Sequence, residues 1–162
     1  MNRIAQFMAV SPERFREDWE GAFPGVPVPE MPPLPRRATA GSAGYDFVSP
    51  LAFRLAPGEG IRISTGVRAR IESGWVLMLF PRSGLGFKYR LQLNNTVGIV
   101  DADYFNARNE GHIFIKLTNA GDRTLSVEAG EAFAQGVFLP HGLTVDDDAS
   151  GERVGGFGST GR

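Results

Sequence analysis

The chain has 162 residues, 42% of them hydrophobic and 22% charged, with a formal net charge of −1 and no cysteine. That is a single domain of ordinary size, able to bury a core without staples, and the lack of cysteine removes disulfides, thiolate nucleophiles and zinc–thiolate clusters together. Near-neutral charge gives no bulk electrostatic reason to bind nucleic acid or an anionic membrane, and no window has the length and apolarity of a membrane span or secretory leader, so a cytoplasmic location is the default expectation.

Met1 to Val10 is a short mixed stretch with no clear element. Residues 11–20 predict a short helix: Ser11 can cap it, Pro12 suits the first helical position, and Phe15 and Trp19 fall four apart on one face. A proline-dense connector follows, from Pro24 to Pro35, extended and semi-rigid, and it reads as a tether.

From residue 45 onward the pattern is that of strands. Leu51, Phe53 and Leu55 alternate, and the turn Pro57-Gly58-Glu59-Gly60 follows. Ile61, Ile63, Thr65, Val67, Ala69 and Ile71 form one period-two stripe, with Arg62, Ser64, Arg68 and Arg70 opposite. The apolar run Trp75 to Phe80 predicts a strand buried on both faces. Ile113, Ile115 and Leu117 alternate again, then Leu125 and Val127, then Phe133 to Leu139. Glycine turns at short intervals favour an all-β fold, a β-sandwich or jelly roll, over any alternating α/β plan. The end of the chain is polar at Asp146-Asp147-Asp148 and glycine-rich from Gly155 to Gly161, which predicts a flexible arm able to order on a ligand.

Three segments carry chemistry. Pro81-Arg82-Ser83-Gly84-Leu85-Gly86 puts a planar cation, a hydroxyl and glycine-freed N–H groups at a strand end, as a polyphosphate requires; the competing reading is a loop with a structural arginine. In Asn95 to Tyr104, Gly98 marks a bulge or a close approach, and Asp101 after Ile99 and Val100 is placed as a partly desolvated general base, although aspartates there also serve as turn residues. The glycine-rich tail, by composition alone, reads as a linker. His112 and His141 are too far apart to form a metal-ligand pair by spacing.

Taken in order, five segments resemble the five motifs of the trimeric dUTPase family: Ala43 to Phe47, Pro81 to Leu85, Gly98 to Tyr104, Gly130 to Gln135, and Arg153 to Gly161. The resemblance runs from about residue 36 to the C-terminus. It implies a distorted β-barrel or jelly roll of the dUTPase type, and hydrolysis of dUTP to dUMP and pyrophosphate, which limits uracil incorporation in DNA and supplies dUMP, in a homotrimer with shared active sites. Asp101 would be the general base, and Mg2+ would be held by the triphosphate and waters with no direct protein ligand. Asp46 would either orient that water shell or tie a turn. Arg82, Ser83, Gly84 and Gln135 would contact the phosphates, with Asn95 in the phosphate region or on a bridging water. Main-chain groups at Gly98 and Ile99 would read uracil, and Tyr104 would pack on the deoxyribose; its other reading is a core tyrosine. From the tail, Phe157 would stack on the base while Arg153, Gly158, Ser159 and Thr160 close on the phosphates.

The sequence departs from the family pattern at three places. The loop after Tyr104 is longer, Ala132 stands where an arginine is usual, and Arg153 is one position closer to Phe157 than is common. Residues 1–35 exceed the minimal domain and read as a packing or partner-binding element, ahead of a β domain at 36–145 and an arm at 146–162. Two rivals share the fold. A dCTP deaminase would need a carboxylate on the strand His112 to Thr118, which has none; a regulatory protein would make use of the extension and the longer loop.

Overall fold

The computed structural model describes residues 2–151 and 155. β1 (Ala5–Ala9) is followed by α1 (Pro12–Ala22), and the Pro-rich strap then leads into β2 (Tyr45–Val48), β3 (Phe53–Leu55), β4 (Gly60–Ser64), β5 (Val67–Ile71) and β6 (Trp75–Pro81). After α2 (Ser83–Tyr89) come β7 (Leu91–Leu93), β8 (Gly98–Val100), a 3-10 turn (Ala102–Asn106), β9 (Phe114–Asn119), β10 (Leu125–Val127) and β11 (Ala132–Pro140). The sheets run β2-β11-β6-β8 and β4-β9-β7, with two-stranded pairs β1-β5 and β3-β10, all antiparallel. This is the expected all-β, jelly-roll-like fold, and among the described residues its sheets do not close into a barrel.

The core lies between the two larger sheets. Phe47, Ile63, Leu77, Leu79, Ile115, Leu117, Leu125 and Phe133 are all buried there. Period-two alternation delivers these side chains inward from each strand, and their burial is the main stabilising term.

Four local expectations are corrected. Ala5–Ala9, which showed no clear element, is a strand because β5 offers its edge, with Phe7 opposite Ala69. The stripe from Ile61 to Ile71 is two strands in different sheets, since Gly66 turns the chain at φ +72. A side chain there would also press on Met31, Phe15 and Pro32, within 3.1–3.4 Å. β6 is closed on one face only: Leu77 and Leu79 are buried, while Val76, Met78 and Phe80 are half-exposed. The segment after Pro81 is the first turn of α2 rather than a loop, because the Arg82 carbonyl accepts from the N–H groups of Leu85 and Gly86.

α1 forms where Ser11 caps it, its Oγ accepting from the Arg14 N–H at 3.2 Å, with Pro12 in the first turn. Phe15 and Trp19 pack with Val10 into a second cluster roofed by Phe23, Met31 and Leu51. The indole N–H of Trp19 donates to the Val26 carbonyl at 3.2 Å, so the strap is pinned to the helix. Trp19 is 1% exposed, and Trp19→Ala is expected to lower stability by about 3–5 kcal/mol, the range for large-to-small core substitutions. Urea unfolding checks this; a loss near zero would mean that the helix is not part of the cooperative unit.

Candidate functional site

The sheet gathers side chains from distant parts of the sequence at one of its ends. Asp46 on β2 stands opposite Gln135 on β11, and Gln135 stands opposite Phe80 near the end of β6. The next residues, Arg82 and Ser83, open α2. Arg82 Nε lies 3.6 Å from Asp46 Oδ1, and the Gln135 amide donates to Ser83 Oγ at 3.2 Å and to the Pro81 carbonyl at 3.4 Å. A side chain at Gly44 would run into the Gln135 amide oxygen at 2.5 Å, so glycine leaves room for that amide. Arg82 and Gly84 also line an open cleft of about 320 Å3 with Lys88, a cation that the motif reading passed over because it falls one helical turn beyond Gly84. The group offers a guanidinium, a hydroxyl and an amide beside a carboxylate, a set suited to phosphate oxygens.

The Gly98 to Tyr104 segment lies elsewhere. β8 pairs with β6 through Leu79 opposite Gly98 and Leu77 opposite Val100, so Asp101 follows toward the Trp75 end of β6. Arg82 leaves the other end, and at about 3.3 Å per residue the two are separated by roughly 20 Å along the strand. One chain therefore does not bring Asp101 to the Arg82 cluster. Asp101 begins the 3-10 turn and is exposed, so the partial desolvation expected of it is not present in the single chain.

β8 is the edge strand of its sheet, and the main-chain edge facing away from β6 has no strand beside it among the described residues. Gly98 is buried, and its missing side chain is explained by Leu79, whose Cβ would stand 3.0 Å from an added Cβ. Ile99 faces outward, 46% exposed, and Asn95 is exposed in the turn before β8, where the Val97 N–H donates to its carbonyl at 2.7 Å. Tyr104 sits in the core at 2% exposure; its hydroxyl donates to the His112 carbonyl at 2.6 Å and accepts from Asn109 Nδ2 at 2.8 Å. Arg153, Phe157, Gly158, Ser159 and Thr160 lie outside the described residues.

The longer loop after Tyr104 is anchored on both sides. Arg68 Nη2 donates to the Phe105 carbonyl at 2.6 Å, and its guanidinium lies 3.7 Å over the Phe105 ring. Glu110 accepts from the Ser11 N–H at 2.8 Å and from Ser11 Oγ at 2.7 Å; these bonds hold its carboxyl below the usual carboxylate range. His112 is fully buried, with Nδ1 2.6 Å from Asp18 Oδ2 and Nε2 accepting the Gly66 N–H at 2.8 Å. That second bond fixes the tautomer. Nε2 must be bare, so Nδ1 carries the proton and the contact with Asp18 is a hydrogen bond from a neutral ring, not an ion pair. Burial lowers the ring's pKa and outweighs the opposing pull of Asp18, in agreement with that geometry.

Among the described residues no three His, Asp or Glu side chains gather to hold a metal, and no helix is long and apolar enough to cross a membrane. A larger groove of about 1130 Å3, walled by Arg3, Arg36, Arg37, Tyr45, Trp75 and Phe138, contains neither Asp101 nor Arg82.

The dUTPase family model matches residues 31–161. The deoxyuridine 5'-triphosphate nucleotidohydrolase of Lactococcus lactis is 44% identical over 132 residues, 79% of this chain and 87% of that one. Among solved structures, the dUTPase of Streptococcus mutans is 37% identical with a TM-score of 0.62, covering 87% of this chain and 98% of its own. A mutant dUTPase of phage 80α, studied for the link between its enzymatic activity and its SaPI-inducing capacity, is 25% identical with a TM-score of 0.63 over 98% of this chain and 99% of its own.

His112 makes stability depend on pH. Its folded pKa lies below the ordinary value of about 6.5, so as pH falls the unfolded chain takes up a proton that the folded chain resists. Stability is therefore full above about pH 6.5 and lost below it, whereas the loss from Glu110 comes lower, in the carboxylate range. Thermal melts from pH 7.5 to 5 should show a falling Tm. His112→Gln, which takes up no proton, should start less stable and fall less steeply; an equal slope in both proteins would assign the effect to other groups.

Proposed function

The chain belongs to the dUTPase family, and on that footing we propose that it hydrolyses dUTP to dUMP and pyrophosphate, with Asp101 as the general base. The observation that carries the reading is the convergence of Asp46, Arg82, Ser83 and Gln135, from three separated motifs, at one end of the sheet. In the proposed reaction a water attacks the α-phosphorus as its proton passes to the Asp101 carboxylate. The bond from that phosphorus to the bridging oxygen breaks, and the oxygen leaves with pyrophosphate. Arg82 meets the charge on the phosphate oxygens with a planar pair of donors, while Ser83, Gly84 and Gln135 orient the chain of phosphates. Magnesium fits this donor set, since Asp46 presents a hard carboxylate oxygen beside Arg82 and would hold a water of the ion's shell. When bound, the ion would neutralise triphosphate charge.

Uracil recognition falls to the outer main-chain edge of β8 at Gly98 and Ile99. A backbone pattern matched to uracil's acceptors and its N3–H leaves cytosine mispaired, a stronger rejection than any lost methylene contact. Tyr104 is buried through its hydroxyl, so its share in the deoxyribose contact would be limited to the ring edge. The tail residues Arg153, Phe157, Gly158, Ser159 and Thr160 would complete the enclosure and exclude water.

The site is proposed to be shared within a homotrimer. Arg82 and Asp101 sit at opposite ends of β6, so a complete site needs a second copy. The outward face of the same sheet carries Val76, Met78, Phe80, Ile99 and Val137, only half-covered in one chain, which is the kind of apolar face that subunits cover. That contact would also supply the second burial of β6 and desolvate Asp101.

With magnesium, dUTP is expected to release pyrophosphate far faster than dTTP, dCTP or UTP, and Asp101→Asn to lose about 10²-fold or more in kcat. Ammonia release from dCTP at a similar rate would point to deamination instead. Arg82→Ala and Asp101→Asn chains, unfolded and reassembled together, should regain activity that neither has alone. No recovery in verified mixed oligomers, or a monomer by sedimentation, would reject sharing.

A further inference from the structure

The N-terminal helix is joined to the turn that carries Asp101 by hydrogen bonds that meet at shared residues, His112 and Tyr104. Ser11, its cap, holds the Glu110 carboxylate twice. Glu110 and Gly111 are successive left-handed residues, at φ 60 and 68. A non-glycine residue stays in that region only where its surroundings hold it. At Gly111 a side chain would meet the Tyr104 carbonyl at 2.7 Å and Phe105 Cα at 2.8 Å, so the loop returns directly against the 3-10 turn. About two helical turns further along α1, Asp18 accepts from His112 Nδ1. The His112 carbonyl in turn receives the Tyr104 hydroxyl, and Asn109 donates to the same hydroxyl. The Tyr104 N–H closes the turn on the Asp101 carbonyl at 3.2 Å.

We propose that Asp18 and Ser11 are positioning residues for hydrolysis: through His112, Glu110 and the Tyr104 hydroxyl they fix the direction in which Asp101 presents its carboxylate. The inference rests on Asp101 being the base. A misplaced base slows the chemical step and leaves binding alone, because Arg82, Ser83 and Gln135 lie at the other end of β6 and the edge at Gly98 and Ile99 is held separately, by its pairing with Leu79 and Met78. Packing alone accounts for Phe15 and Trp19. It does not account for a half-buried Asp18 carboxylate set on the buried ring of His112, the residue whose backbone carbonyl receives the Tyr104 hydroxyl.

The test is steady-state dUTP hydrolysis by the full-length chain, well below the melting temperature of each variant. Asp18→Ala should lower kcat by about 10-fold with KM changed by no more than about twofold. Asp18→Asn, which keeps an oxygen to accept the Nδ1–H, should restore kcat to within about twofold of the parent. In the Asp18→Ala/Tyr104→Phe double variant, kcat should fall no further than in the worse single variant, since both cut one chain. If Asp18→Ala does not fold, Ser11→Ala decides, with an expected kcat loss of about threefold. An unchanged kcat in the folded variant, an effect on KM alone, failure of Asp18→Asn to rescue, or full additivity would each overturn the proposal. Loss of activity in Asp101→Asn alongside a silent Asp18→Ala would overturn the positioning role and leave the proposed reaction standing. Turnover retained by Asp101→Asn would remove the reaction scheme itself.

Discussion

The structure depends on the corner at Gly66. Its N–H is received by a buried, neutral His112, its carbonyl takes the Val10 N–H at 3.0 Å, and its bare Cα lies under Phe15, Met31 and Pro32. A buried N–H left without an acceptor costs about 1–3 kcal/mol, so the ring must stay unprotonated at Nε2 for the corner to hold. That corner sends β4 into one sheet and β5 toward β1, and so gives the N-terminal strand its edge. Asp18 meets the proton on the other nitrogen, which draws α1 into the same arrangement. Backbone conformation, tautomer and helix position are one constraint seen from three sides.

The proposed site is divided along the four-stranded sheet. Asp46, Arg82, Ser83 and Gln135 gather where β2, β11 and β6 end together, whereas β8 carries Asp101 toward the opposite end. The division is geometric: an antiparallel neighbour places successive residues in opposite directions, so residues close in the folding plan are distant along the strand. The half-covered outer face of the same sheet lies between the two groups. An assembly that covers it would join unlike ends of different copies, which links the proposed trimer to the proposed chemistry.

The longer loop after Tyr104 and the N-terminal extension are two halves of one feature. Glu110 and His112 come from the loop, and Ser11 and Asp18 from the helix. Arg68 holds the loop from the other side through the Phe105 carbonyl and ring. Each half would leave buried or strained groups without the other.

What could be read in the sequence was whatever local physics determines. Period-two alternation announced most strands, Ser11-Pro12 with Phe15 and Trp19 announced α1, and the ordered motifs announced the family. Local patterns also misled where they were ambiguous: the stripe across Gly66 alternates correctly through a corner, and the glycines after Arg82 resemble a loop although they form the first turn of α2. Tertiary structure alone decided the rest. Which strand receives β1, which partner takes each nitrogen of His112, and that Arg82 and Asp101 lie at opposite ends of β6 all depend on pairings between residues tens of positions apart. Alternation along one strand shows which side chains turn inward; it carries no information on which neighbour, in what register, they will meet.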